Sequence, residues 1–147
     1  MTDSKIDFDA LLNAMLPFAM QMLQRFGEFH PFGGATKPDG EIVSVAAYEG
    51  DDKPLATEMI QKLERIFADA AGQGTYHATA VIYDTRIQLA PGKKADAVAI
   101  ALDHRDTKSI IVYVPYQISN GRVEFGELVA SQGEGKIWSS GGTVSYI

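Results

Sequence analysis

Among the residues that could do acid–base chemistry, the densest group is Asp103-His104-Arg105-Asp106. A histidine flanked by carboxylates is the raw material of a general base or a hydrolytic dyad. The same four residues separate two runs of alternating apolar side chains, so they also read as a solvated hairpin turn. His30 stands just before Pro31 and the pair Gly33-Gly34. Adjacent glycines let a backbone come close to something, either a ligand or another part of the same fold. His77 alternates with Ala78 at the start of an apolar run and reads as a hydrogen-bonded imidazole on a strand. A small hydrolase or ligand-binding enzyme would therefore draw on Asp103, His104, Asp106 and His30.

Other chemistries find no support in spacing. A divalent metal site needs three or four convergent ligands, and the three histidines show no His-x-x-x-His pattern. No metal or cofactor is expected. Gly133-Glu134-Gly135-Lys136 resembles a phosphate loop only superficially: the glycine spacing, the hydroxyl after lysine and the flanking strand and helix are all wrong. Glu49, Asp51 and Asp52 lack the ligand spacing of a calcium loop. With zero Cys there is no thiol nucleophile, disulfide or thiolate ligand. Aromatic residues near a sheet edge suit an interface instead. Tyr113 and Trp138, with His30, Gly33 and Gly34, make up the candidate binding residues.

Composition narrows the class of partner. The chain has 147 residues, 46% hydrophobic and 22% charged, enough for one domain with its own core. Its net charge is 13 − 19 = −6, and the excess lies in residues 1–75, with 6 basic and 12 acidic groups. That distribution argues against nucleic acid, whose binding relies on Lys and Arg displacing counterions. It suits a basic partner, or simply solubility. The first residues lack the basic-then-apolar pattern of a signal peptide, and no apolar run reaches the roughly 20 residues of a membrane span. A cytoplasmic protein that binds no membrane is the expectation.

The elements that would position these residues follow from periodicity. Phe8, Leu11, Leu12, Met15, Ala19, Met22, Leu23 and Phe26 recur at helical spacing and predict a helix over residues 4–26, kinked or divided at Pro17. Residues 28–35 and 41–48 predict a hairpin around Pro38-Asp39-Gly40. Pro54 opens a second helix with a stripe of Leu55, Met59, Leu63, Phe67 and Ala70. The centre of the chain reads as an antiparallel meander over 76–87, 96–103 and 109–117, with Asn120-Gly121 turning into a short fourth strand at 123–125. In the middle run Val98, Ile100 and Leu102 share one face, and Ala97, Ala99 and Ala101 share the other. Pro115 marks a place where outer pairing stops. Residues 126–131 read as a helical turn, and 133–147 as a flexible tail able to end in an edge strand.

The element order α-β-β-α-β-β-β resembles the profilin-like and roadblock-type scaffolds, which use a central antiparallel sheet for dimerisation and partner binding. The stretch Gly27-Glu28-Phe29-His30-Pro31-Phe32-Gly33 resembles small uncharacterised bacterial proteins. Together these readings predict a single α+β domain, a two-layer sandwich of five or six antiparallel strands with two helices on one face. The expected function is that of a non-enzymatic interaction module, antidote-like or regulatory, and a homodimer through its sheet.

Overall fold

The structure, a computed structural model, describes residues 4–46 and 55–138. The strand expected to reach Tyr48, the acidic loop 49–53, Pro54 and the end of the tail lie outside the described residues. The order is α1 (Ser4–Phe26), β1 (Phe32–Thr36), β2 (Ile42–Ala46), α2 (Ala56–Gly72), β3 (Ala78–Ala90), β4 (Lys93–His104), β5 (Ser109–Ser119), β6 (Arg122–Phe125) and β7 (Val129–Gln132). All neighbouring strands are antiparallel, in the order β2-β1-β3-β4-β5-β6, with β7 also on β5.

The turns follow their residue chemistry. Glu41 donates its amide to Asp39 Oδ1 (2.9 Å) and Gly40 takes φ +93° between β1 and β2. Asn120 and Gly121, with φ 53° and 75°, close β5 onto β6, as a two-residue hairpin requires. Helix α1 is a single element that continues past the exposed Pro17, rather than two abutting helices. It ends where Gly27, at φ +73°, donates to the Leu23 carbonyl. In α2 the buried stripe is Met59, Leu63 and Phe67; Leu55 lies outside the helix and is exposed.

The α+β class, the antiparallel sheet and two packed helices are as periodicity indicates. The layering is fuller than a two-layer sandwich, and Gly33 and Gly34 show why. Adjacent strand residues point to opposite faces. A Cβ on Gly33 would sit 2.7 Å from the Phe67 ring of α2, and one on Gly34 would sit 2.5 Å from Met15 Sδ of α1. The face holding Ala80, Ile82, Val98, Ile100, Val112 and Val114 packs under Leu11, Met15, Ala19 and Leu23 of α1. The opposite face, with Ala35 and Val81, packs under Met59, Leu63 and Phe67 of α2. Both glycines are thus helix-contact positions, not ligand cradles. No helix among the described residues is long and apolar enough to cross a membrane.

The second departure is at the end of the chain. Residues 129–132 form a strand, not a helical turn. β6 pairs with residues 116–119 of β5 and β7 with residues 110–113, so the two are segments of one interrupted outer strand. The interruption faces Pro115, which has no amide hydrogen to offer and whose carbonyl accepts from the Gly126 amide (2.8 Å). Residues 133–138 are tied back onto the sheet. The Gly133 amide donates to the Ser109 carbonyl (2.9 Å), the Gly135 amide donates to Ser109 Oγ (3.1 Å), and Ile137 is buried.

Candidate functional site

Strand parity decides what the Asp103-His104-Arg105-Asp106 cluster can do. Asp103 and His104 are consecutive on β4, so their side chains leave on opposite faces of the sheet. They cannot converge on one substrate atom. Nor do they form a solvated turn: His104 is 1% exposed and Asp103 is 7% exposed. Only Arg105 to Lys108 lie in the exposed turn itself.

His104 points to the α1 side. Its Nε2 donates to Asp7 Oδ2 at 2.7 Å, since a carboxylate can only accept. Its Nδ1 lies 3.2 Å from both the amide nitrogen and Oδ1 of Asp106. The edge of its ring packs against Phe8, with centroids 5.9 Å apart. Burial opposes the charge of Asp106, but the Lys108 amide, His104 and the Ser4 hydroxyl outweigh it and hold its carboxyl below the usual range. The result is a polar clamp fastening the first turn of α1 to the β4–β5 turn. Nearby, Arg105 Nη1 donates to His77 Nε2 (3.0 Å), and desolvation together with that cation lowers the His77 pKa. His30 sits apart, exposed in the connection between α1 and β1.

Asp103 points the other way, into a cavity of about 170 Å³ beside α2. Val81 and Tyr83 of β3, Ala101 and Asp103 of β4, and Ser109 and Ile111 of β5 form its floor. Ile60 and Glu64 of α2 form one wall, and residues 134–137, crossing back over the sheet, form the other. Desolvation raises the Asp103 carboxyl above its ordinary value; a hydrogen bond from Ser109 works against that rise, and Glu64 adds to it. Tyr83 is raised chiefly by burial, then by Tyr113, Glu134 and Glu64. Lys136 Nζ spans the rim, 3.4 Å from Glu64 Oε2 and 3.8 Å from Glu134 Oε1. The path of the rim is sterically fixed, because a Cβ on Gly133 would collide with Ser109 Oγ.

Of the candidate catalytic and binding residues named from sequence, only Asp103 lines this cavity. Trp138 follows Ile137 and packs against the same α2 cluster, while Tyr113 faces the same side of the sheet from β5, opposite Val129 of β7. Glu64, Tyr83 and Ser109 escaped sequence reading, and Glu134 and Lys136 entered it only as a failed phosphate loop, because α2, β3, β5 and residues 134–136 meet only in the folded chain. One signal did exist: Asp103 continues the parity of Ala97, Ala99 and Ala101, the small-residue face. Among the described residues no three or more His, Asp or Glu converge as metal ligands do.

The other end of the sheet carries an open groove of about 560 Å³, bordered by Arg86, Lys94, Asp96, Tyr116, Ile118 and Phe125. Tyr116 donates to Asp84 Oδ1 at 2.7 Å. Burial and this bond both push the phenol upward, and burial raises Asp84 as well.

The described residues define an antiparallel α+β protein with a helix on each face of its sheet. No protein-family model, curated protein or solved structure matches the chain.

Proposed function

We propose that this protein is a non-enzymatic interaction module, acting in the cytoplasm as a homodimer joined through its sheet edge. The observation that carries the reading is β7. Its sequence, Val129-Ala130-Ser131-Gln132, holds no charge and no proline, and all four residues are exposed. Natural proteins guard such an edge with Lys, Pro or a covering element, because unpaired amides and carbonyls invite another strand. β6, its collinear neighbour, is guarded: Gln24 of α1 exchanges hydrogen bonds with both the amide and the carbonyl of Val123. Among the described residues only β5 pairs with β7. Leu128 and Val129, 53% and 45% exposed, supply apolar surface beside it.

A second copy is the fitting occupant, because antiparallel pairing of an edge with itself closes by two-fold symmetry. Four residues span only about 13 Å, so the buried area is small. The dimer should be weak, with a dissociation constant on the order of 10–100 µM, about −5.5 to −7 kcal/mol. In the antidote-like form of this reading, the net charge of −6 attracts a basic protein to the dimer. Sedimentation equilibrium from roughly 10 µM to 1 mM tests the core claim. A concentration-dependent dimer that disappears in Ala130→Lys, with the far-UV spectrum unchanged, supports it. A monomer at every concentration refutes it.

A further inference from the structure

We infer that the groove between the β3–β4 and β5–β6 hairpins is a docking cleft for an extended acidic peptide segment of a partner protein, which enters as an added strand. The site is separate from β7 and does not depend on the dimer reading. Strand register defines it. β4 and β5 stay paired only as far as Asp96 and Tyr116. Beyond that row β4 continues against β3 to Lys93, and β5 continues against β6 to Ser119. Two hairpin arms therefore diverge, and the bulge between Gln88 and Ala90 bends one of them away. Residues 93–95 and 117–119 face each other across the gap, and among the described residues no ladder joins them. Pro115 and Tyr116 both border the groove although consecutive strand residues leave on opposite faces, and so do Gln117 and Ile118. The groove is thus a slit through the sheet with an unpaired strand edge on each lip.

Unpaired amides and carbonyls are the surface that strand addition uses: main-chain bonds give affinity, and side chains give specificity. An inserted strand runs antiparallel to one lip and parallel to the other. Each lip spans about 10 Å, and the volume of about 560 Å³ lies within the roughly 300–1,000 Å³ of ligand clefts. Floor and mouth differ in chemistry. The floor is the last shared row, in which Arg86, Asp96, Tyr116 and Phe125 are register partners. The Tyr116 and Phe125 rings lie 6.3 Å apart and offer an apolar seat. The mouth carries Lys93 and Lys94, both exposed and neither in an ion pair among the described residues. Arg86, by contrast, lies 3.9 Å from Asp96, and Glu124 leaves β6 on the face opposite Phe125. The two lysines leave β4 on opposite faces, so they match two consecutive acidic residues of an added strand. Leu89 and Ile118, 46% and 47% exposed, add apolar contact beside them. The fitting segment is therefore apolar at the floor and acidic at the mouth.

The full chain can be titrated by fluorescence anisotropy with fluorescein-labelled Glu-Glu-Val-Phe-Val-Glu-Glu, a peptide that reads alike in either direction. Saturable binding with a dissociation constant on the order of 10–100 µM is expected for so short a contact. N-methylation of the Val and Phe amides removes donors and keeps the side chains, and should weaken binding about tenfold or more. Lys94→Glu should weaken it about fivefold or more. Lys108→Glu, the same charge change in the exposed turn at the opposite end of the sheet, should leave it unchanged. Ala130→Lys should bind as the parent does, because the bare edge of β7 takes no part. No saturation by about 1 mM, equal binding of the N-methylated peptide, or equal losses from Lys94→Glu and Lys108→Glu overturns the assignment. Loss of binding in Ala130→Lys also overturns it, by moving the peptide to β7, and leaves the dimer test standing. If the Ala130→Lys protein still dimerises and the peptide dissociates that dimer, the cleft belongs to a second copy instead.

Discussion

At the residue scale the two acidic neighbours of the β4–β5 turn have opposite consequences. The Asp103 carboxyl is raised by desolvation, so the folded state binds its proton more tightly than the unfolded chain does. Stability linked to this group is therefore highest below the ordinary carboxyl range and falls as pH rises toward the folded value. Asp103→Asn, which cannot ionise, should melt higher than the parent at pH 7, and the difference should vanish near pH 3. Thermal melts at the two pH values check this, and equal melting temperatures at pH 7 would show that the buried charge costs nothing. Asp106 works in the other direction: its carboxyl is held low, so its contribution is present at neutral pH and fades as acid protonates it.

His104 belongs to the same scale. The ring is buried, donates to a buried Asp7 and packs against Phe8. Truncation removes packed volume and leaves the Asp7 carboxylate without its donor. His104→Ala should lose about 3 kcal/mol in urea unfolding. A loss under about 1 kcal/mol would mean that the clamp is worth no more than a surface pair.

Among the elements, the sheet is gripped from both sides at β1. Gly33 receives Phe67 and Leu63 of α2, and Gly34 receives Met15 of α1. A methyl group at 33 meets a buried ring with nowhere to go, whereas a methyl at 34 meets a flexible thioether that can rotate. Gly33→Ala should therefore cost about 1–3 kcal/mol, and Gly34→Ala distinctly less, as read from urea midpoints. Equal costs would show that the Met15 thioether is held as rigidly as the Phe67 ring. The outer strand shows the same dependence on small details. Pro115 divides it, Gln24 covers one segment, and among the described residues the other pairs only with β5.

For the whole molecule the useful contrast is between local and long-range information. Turns were legible because their causes lie within four residues: Pro38-Asp39-Gly40 and Asn120-Gly121 need only their own backbone chemistry. The two helices and the meander were legible because their apolar periods repeat within one segment, as with Leu11, Met15 and Ala19, or Val98, Ile100 and Leu102. β7 was not legible, because Val129-Ala130-Ser131-Gln132 has little strand signal of its own and extends only by pairing with β5. The division of the helices between two faces was also hidden, since periodicity assigns an apolar stripe to a helix without saying which side of a sheet it covers. Two glycines in succession carried that information, but only the packed structure reveals that each faces a different helix. The candidate site follows the same rule. Sequence left Asp103 and His104 together as candidate catalytic neighbours; it is the extension of β4 through His104 that places Asp103 with the alanine face and His104 with the other. Folding alone decided that Glu64, Ser109 and Lys136, separated by 27 or more residues along the chain, would surround that one carboxyl. Such a meeting depends on strand register and on the crossing of residues 133–138, which no local segment encodes.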